Sequence, residues 1–211
     1  MHTQTCAKYY AANNNFMRNP RQPRLTARFL IPLLFGMQTV VPCYAIEKPY
    51  PGPYFENAQL LMILIPHTPE QMAAFYEARG FPKNAIELIT ETCFITVHIE
   101  NKGRQVTWLD TANWRLISNN RALAILGTDY WNRKWEEIDL PQANRSTFYW
   151  TQLPAVVDLQ PDEPVGGNIV LPGTVRDFHL EANFMTGRDQ RGEKIQVNFE
   201  RVACPRQADS Q

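Results

Sequence analysis

The chain has 211 residues, and its 21 basic and 21 acidic residues give a formal net charge of zero. Its hydrophobic content of 44% and aromatic content of 11% are too high for a disordered chain. Four cysteines are too few for a disulfide-rich scaffold. With no basic excess, the chain lacks the electrostatic basis for binding nucleic acid.

The charges are unevenly distributed along the chain. Residues 1–45 contain five basic residues and no acidic residue, so the rest of the chain has a formal charge of −5. Four arginines between positions 18 and 28 precede the apolar run Phe29–Val41, and small residues stand at positions −3 and −1 of a cut after Ala45. This pattern is typical of a bacterial secretory signal peptide. It predicts export, most simply to the periplasm, with residues 1–45 forming an N-terminal extension and signal.

Two other interpretations of this segment stay open. Cys43 is a possible lipidation site, although Pro42 stands where a small residue is normally needed. An uncleaved anchor is the other possibility, although the apolar run is shorter than the ~20 residues that span a bilayer. Residues 1–16 fit no signal pattern, so Met17 is a candidate start of the protein. No stable membrane span is expected in the mature chain.

The remaining chain suits one domain with its own core. We predict a proline-rich arm at 46–58, a single globular domain at 59–204 and a disordered tail at 205–211. The domain retains two cysteines, Cys93 and Cys204, and in an oxidising compartment such a pair most simply forms a disulfide. Two buried free thiols are the alternative, and nothing near either residue indicates a catalytic cysteine.

The first part of the domain, residues 68–91, is predicted to be a helical hairpin. Thr68-Pro69-Glu70-Gln71 has the pattern of a capping box with proline at the first helical position. Residues 72, 75 and 76 then form one apolar face, and Gly80 suits the helix end. A second helix is expected at Lys83–Glu91. The apolar run at 60–65 fits either a strand or a helical turn.

From Thr92 onward the apolar pattern has a period of two. Cys93, Ile95, Val97 and Ile99 share one face of a predicted strand. Arg145–Leu153 alternates similarly, which would place Phe148 and Trp150 together in the core. Further strands are predicted around 105–110, 114–118, 168–171, 175–184 and 194–203. About seven such strands over 93–204 favour a mainly β fold, an antiparallel immunoglobulin-like β-sandwich with an N-terminal helical hairpin.

The least periodic stretch, 121–141, contains the most suggestive aromatic residues. A helix beginning at Thr128 would place Trp131 and Trp135 on one face, and a long irregular connection is the alternative. With Tyr130, these tryptophans form a candidate surface for a partner. A polar loop is predicted at 158–167. Within it, the stretch from Pro161 on to Asn168, which contains Asp162 and Glu163, is a candidate binding loop, although a plain turn between strands explains it better.

Signatures of the common enzyme families are absent from the sequence. His98, His179 and Met185 are weak candidate ligands for copper, because exported copper sites use His and Met but these residues lack ligand spacing. No other cofactor is indicated. We therefore expect a non-enzymatic exported domain that binds another envelope protein as an accessory or assembly factor. A periplasmic module that binds copper or a glycan is the alternative, and an enzyme of unrecognised type ranks third.

Overall fold

The computed structural model describes residue 50 and residues 52–206. The described residues all belong to one compact unit, Ile46–Gln211. The predicted signal peptide, the alternative lipidation site at Cys43 and most of the predicted tail lie outside the described residues.

The described unit is mainly β, with antiparallel sheets and a few helices. Its ten strands are β1 (Tyr54–Glu56), β2 (Leu60–Pro66), β3 (Thr92–Asn101), β4 (Thr107–Asp110), β5 (Arg115–Ser118), β6 (Arg121–Leu123), β7 (Val156–Leu159), β8 (Pro164–Pro172), β9 (Asp177–Thr186) and β10 (Lys194–Ala203). Its four α-helices are α1 (Pro69–Glu77), α2 (Lys83–Thr90), α3 (Thr128–Glu137) and α4 (Gln142–Trp150). Short 3₁₀ turns follow β4 and β9.

The strands form two sheets. The four-stranded sheet has the order β1-β2-β3-β8. The six-stranded sheet has the order β6-β5-β9-β4-β7, and β10 pairs with β9. Leu180 and Phe184 of β9 each have a partner in β10 and another in β5 or β4, so β10 lies on the opposite edge of β9 from those two strands.

The two sheets pack face to face through alternating apolar side chains. In β3 the face predicted from the sequence, residues 93, 95, 97 and 99, is buried in this core. The six-stranded sheet contributes Phe178, Leu180 and Phe184 from β9 and Val197 from β10. Because side chains alternate across a strand, each sheet turns every second residue inward. The main core therefore lies between the sheets.

A second core covers the outer face of the four-stranded sheet. Phe94 of β3 and Val170 of β8 point away from the first core and pack against the helices. Met72 and Tyr76 of α1 are buried there, and the capping box at Thr68 and Gln71 begins that helix. The described unit thus has three layers, namely the two sheets and a layer of helices on the outer face of the four-stranded sheet.

Residues 145–153 correct one prediction from the sequence. They do not form a strand, because Gln142–Trp150 is helix α4 and the chain leaves it at Thr151. Phe148 is completely buried, whereas Trp150 is 89% exposed. Residues two apart lie on one face of a strand but on nearly opposite faces of a helix. The helix therefore separates the two aromatic residues that the predicted strand would have placed together.

Two other boundaries differ from the prediction, and the alternative left open for residues 60–65 is decided in favour of a strand. The arm at 46–58 contains β1, which pairs with β2. The run at 60–65 lies in a strand. The loop predicted at 158–167 is only partly a loop, because β7 includes its first two residues and β8 begins at Pro164. Proline at the start of β8 is compatible with an edge strand, where one backbone N–H is not needed by the ladder.

The disulfide expected between Cys93 and Cys204 is present in the structure. The two sulfurs are bonded, and the Cα atoms lie 5.6 Å apart. Cys93 belongs to β3 of the four-stranded sheet, and Cys204 directly follows β10 of the six-stranded sheet. Both side chains are buried in the main core, so the bond joins the two sheets covalently.

None of the helices in the described part of the chain is both long and apolar enough to cross a membrane.

Candidate functional site

The prediction that the aromatic residues of α3 form a surface for a partner is wrong. Trp131 is 1% exposed and Trp135 is completely buried, while Tyr130 is half-buried. The two indoles stack with ring centroids 4.7 Å apart, and both contact the ring of Phe148. The helix that the sequence allowed does place both tryptophans on one face, but that face packs against α4. These residues therefore stabilise the helical layer and are not available to a partner.

The candidate binding loop is divided by the fold. Asp162 and Glu163 are exposed in the turn before β8, and the backbone groups of this turn bond to Asn101. Asp162 has a φ of 64°, a left-handed conformation that aspartate tolerates better than most residues. Asn168 lies within β8 and is 8% exposed. Its side chain accepts a hydrogen bond from the Thr96 hydroxyl at 2.6 Å.

The three weak metal candidates do not converge. His98 belongs to the four-stranded sheet and His179 to the six-stranded sheet, and each points away from the core that separates the two sheets. Met185 lies six residues beyond His179 on the same strand, about 20 Å away at the usual rise per residue. His179 instead lies 3.4 Å from the Glu181 carboxylate. These three side chains cannot bind one ion.

The structure does bring together a groove that the sequence did not indicate. It has a volume of about 510 Å³, within the range of ordinary ligand sites. Helix α1 forms one wall with Met72 and Phe75, and Trp150 stands at the rim at the end of α4. The floor is formed by Thr96 and by the β8 residues 166–168. We call this region, with its rim, the Trp150 groove.

A chain of hydrogen bonds connects the polar side chains of the groove. His67 Nε2 lies 2.7 Å from Thr96 Oγ1, and Thr96 donates its only hydroxyl hydrogen to Asn168 Oδ1. His67 must therefore donate to Thr96 through Nε2. Burial lowers the pKa of His67, and a hydrogen bond with Gln71 partly opposes this shift. The imidazole is accordingly neutral at pH 7, and the groove presents polar but uncharged groups at this point.

Another pair of hydrogen bonds positions Trp150. The Tyr76 hydroxyl on α1 lies 2.7 Å from Thr151 Oγ1, and Thr151 donates to the carbonyl of Phe148. Burial raises the pKa of Tyr76 to about 12, and the Thr151 contact opposes the shift. The neutral phenol therefore connects α1 to the end of α4. Because Thr151 directly follows Trp150, this contact fixes the end of α4 from which the exposed indole projects beside the groove.

The backbone after α4 lies against the edge of β8. The N–H of Asn168 donates to Thr151 O at 2.8 Å, and the N–H of Leu153 donates to Asn168 O at 3.0 Å. This short parallel bridge extends the four-stranded sheet by one residue pair. The approach is so close that a Cβ on Gly167 would lie 2.4 Å from Leu153 N. Only glycine leaves room for this crossing.

Alanine substitutions at the two neighbouring glycines of β8 are expected to have different effects on the free energy of unfolding. In Gly167→Ala the methyl group would meet backbone atoms that cannot move independently. We therefore expect the free energy of unfolding to fall by about 1–3 kcal/mol. In Gly166→Ala the nearest atom is Val97 O at 3.5 Å, an ordinary contact, so we expect a change within about 0.5 kcal/mol. Urea denaturation of both variants measures the difference. Equal stabilities would show that the crossing is not as tight as described.

Sequence reasoning missed both Trp150 and His67 as site residues. Trp150 was assigned to the core because a period of two was assumed for residues 145–153. His67 stands one residue before the capping box and has no ligand-like spacing to another histidine. Its bond to Thr96 arises only because β2 pairs with β3 and ends beside that residue. A helical period in residues 145–153 is the local signal from which the exposure of Trp150 could have been predicted, because it places Phe148 and Trp150 on nearly opposite faces.

Comparisons with known proteins do not assign the chain to a family. No protein-family model matches it, and no curated protein matches it. Two solved structures from Bacillus subtilis are similar in part. A putative lipoprotein (ycdA) from strain 168 has a TM-score of 0.37 and 8% identity, over 71% of this chain and 38% of its own. The yjhA protein has a TM-score of 0.41 and 11% identity, over 71% of this chain and 96% of its own.

Proposed function

We propose that this protein is an exported, non-enzymatic domain that binds another protein of the cell envelope at the Trp150 groove, as an accessory or assembly factor. One observation carries the proposal: Trp150 is 89% exposed at the rim of a groove of about 510 Å³. Trp114, Trp131 and Trp135 are all buried. An isolated indole held in water beside a concave surface is typical of an interface anchor.

The surroundings of Trp150 support a role in binding. The backbone that carries Trp150 is fixed by helix α4 and by the Tyr76–Thr151 contact directly after it, so the position of this residue beside the groove is defined before a partner binds. Phe75 and Met72 extend the apolar surface into the groove, while Thr96 and Asn168 supply polar groups. An apolar centre with a few fixed polar groups resembles the arrangement at the centres of protein interfaces.

The hydrogen bonds in the groove favour binding over catalysis. A nucleophilic hydroxyl needs a base that accepts its hydrogen. The Thr96 hydroxyl hydrogen goes to Asn168, and His67 donates to Thr96, which is the reverse of that arrangement. The neutral His67 is committed through Nε2, and the Thr151 hydroxyl is committed to Phe148 O. These groups are arranged to hold the groove in shape.

Export is supported by the sequence of residues 1–45 and by the disulfide between Cys93 and Cys204. Disulfides persist in oxidising compartments such as the bacterial periplasm. Within this proposal the signal is cleaved after Ala45, with lipid attachment at Cys43 as the alternative. The immunoglobulin-like classification and the N-terminal helical hairpin stay predictions.

Replacing Trp150 with alanine tests the proposed function. Hot-spot residues cost about 2 kcal/mol or more when truncated, so we expect at least a tenfold loss of affinity for the envelope protein recovered with the wild-type chain. The measurement is a quantitative pull-down from envelope extract, followed by titration of the recovered protein. Val156→Ala is a suitable control, because Val156 is 63% exposed on the other sheet. Equal recovery by Trp150→Ala and wild type would contradict the proposal.

A glycan is the second candidate ligand, because an exposed indole next to uncharged polar groups also suits a sugar ring. Titration with cell-wall saccharides, read by tryptophan fluorescence, distinguishes the two candidates. A saturable change that disappears in Trp150→Ala would favour the glycan.

A further inference from the structure

We propose that the partner binds as an extended strand, which pairs with the free edge of β8 at Pro164–Gly167 and inserts an apolar side chain into the Trp150 groove. This inference rests on the proposed function and specifies its binding mode. An edge strand recognises another chain through backbone hydrogen bonds, and neighbouring pockets select its alternate side chains. Both elements are present next to Trp150.

The register of β8 shows which backbone groups face outward. Asn168 is opposite Thr96, and its N–H and C=O bond away from β3, to the segment after α4. In an antiparallel pair such groups alternate, so those of Gly166, opposite His98, also point away from β3. Neither group of Gly166 is hydrogen-bonded to the residues that the structure describes outside this ladder. The carbonyl of Pro164 faces the same way.

The chain itself shows that this edge accepts a strand. Residues 151–153 already pair with Asn168 through two backbone hydrogen bonds of 2.8 and 3.0 Å. The pairing stops there because Trp150 belongs to helix α4 and the chain turns away from the sheet. The next outward-facing position along β8 is Gly166, which is exposed. A partner strand placed there would continue a ladder that α4 interrupts.

The side-chain environment specifies an apolar residue in the partner. Trp150, Phe75 and Met72 line the groove into which Gly166 and Gly167 also open. Side chains of a strand alternate, so one residue of the partner would enter the groove while its neighbours point away from it.

The charges at the start of β8 specify basic residues in the partner. Asp162 and Glu163 are exposed just before Pro164, and Glu100 pairs with Pro164 across the sheet. None of these carboxylates forms an ion pair with another described residue. Lys102, the nearby cation, is paired with Glu56. A lysine or arginine at one end of the partner strand would complement this acidic cluster.

The same features disfavour a second copy of this chain as the occupant. The open part of the edge is only four residues long and begins with proline, which limits pairing between identical edges. The acidic residues beside it would also repel their counterparts in another copy. A strand of a different, basic protein is therefore the occupant to which we commit.

Two variants of Gly166 test the strand pairing. Gly166→Pro removes the outward N–H but no hydrogen bond to β3, because that N–H points away from β3. Gly166→Ala is the matched control, because it keeps the N–H and its methyl group meets only ordinary contacts. The probe is an arrayed library of decapeptides, screened on the full-length protein and titrated by fluorescence anisotropy.

We expect the selected peptides to contain an apolar residue and a lysine or arginine. They should bind Gly166→Ala within about twofold of wild type and lose at least tenfold affinity for Gly166→Pro and Trp150→Ala. Methylation of the peptide backbone at one set of alternate nitrogens should abolish binding, and methylation of the other set should not. This last measurement uses only the wild-type protein, so it holds even if Gly166→Pro folds poorly.

The failures of the two proposals are distinguishable. If peptide or envelope-protein binding depends on Trp150 but not on Gly166→Pro or on backbone methylation, strand pairing is wrong and the proposed function stands. If saccharides bind in a Trp150-dependent manner and no peptide does, both are overturned in favour of the glycan. If the protein self-associates through Gly166 and selects no peptide, the occupant is a second copy, and the inference of a foreign strand is wrong.

Discussion

Replacing both Cys93 and Cys204 with alanine is expected to lower the free energy of unfolding by about 4–5 kcal/mol. The disulfide closes a segment with a sequence separation of 111, and in the chain-entropy model a loop of this length gives that value. Small domains typically have about 5–15 kcal/mol of stability, so the loss is a large part of the total. Urea denaturation at pH 7 measures it. Alanine is preferred to serine because both positions are buried.

Reduction of the wild-type protein provides the control for this prediction. Adding a thiol reductant should lower its stability to that of the double-alanine variant and leave the variant unchanged. If the variant loses less than about 1 kcal/mol, the bond does not constrain the unfolded chain in the way that the loop length implies. The result also bears on export, because a domain that depends on this bond folds best in an oxidising compartment.

Trp135→Ala is expected to lower the free energy of unfolding by about 3–5 kcal/mol, the usual cost of removing a buried aromatic side chain. Trp135 is completely buried, stacks on Trp131 at 4.7 Å and meets Phe148 edge to face at 5.0 Å. Its removal would leave a cavity between α3 and α4. The measurement is again urea denaturation, with circular dichroism confirming that the native spectrum is retained.

Two controls separate packing from other effects of this substitution. Trp135→Phe keeps an aromatic ring and removes an indole N–H that has no hydrogen-bond partner within the described residues, so its loss should be clearly smaller. Trp150→Ala should change stability by less than about 0.5 kcal/mol, because the side chain is in water. If Trp135→Ala were as harmless as Trp150→Ala, the placement of α3 would be wrong.

A comparison of residues 93–99 with residues 145–153 explains where prediction from the sequence succeeded and where it failed. In β3, the alternation at residues 93–99 predicted the buried face correctly, because one side of that strand meets the sandwich core along its length. In residues 145–153, threonine and aromatic residues favoured a strand by propensity. The packing of Phe148 against Tyr76, Trp131 and Trp135 favours a helix, and this tertiary contribution outweighs the propensity.

The candidate site was predicted less well than the fold. Asp162, Glu163 and Asn168 were proposed as one loop, but the last of them is part of β8 and binds Thr96. The groove depends on four segments that are distant in sequence, namely residues 67–75 around the start of α1, Thr96 of β3, residues 150–151 at the end of α4, and residues 166–168 of β8. Such contacts between distant segments carry no periodic signal. A single sequence therefore shows the residues of the groove only as unrelated polar and aromatic positions.

The sequence by itself determined the periodicity of β3, β9 and β10, the start of α1 at its capping box, and the two cysteines that can join the sheets. These features depend on residues close together in the chain or on residue type alone. The tertiary structure alone decided that Trp135 is buried, that Trp150 is exposed and that the edge of β8 is left open beside it. The physical reason is that burial depends on which surface covers a side chain, and here that surface comes from segments far away in the sequence.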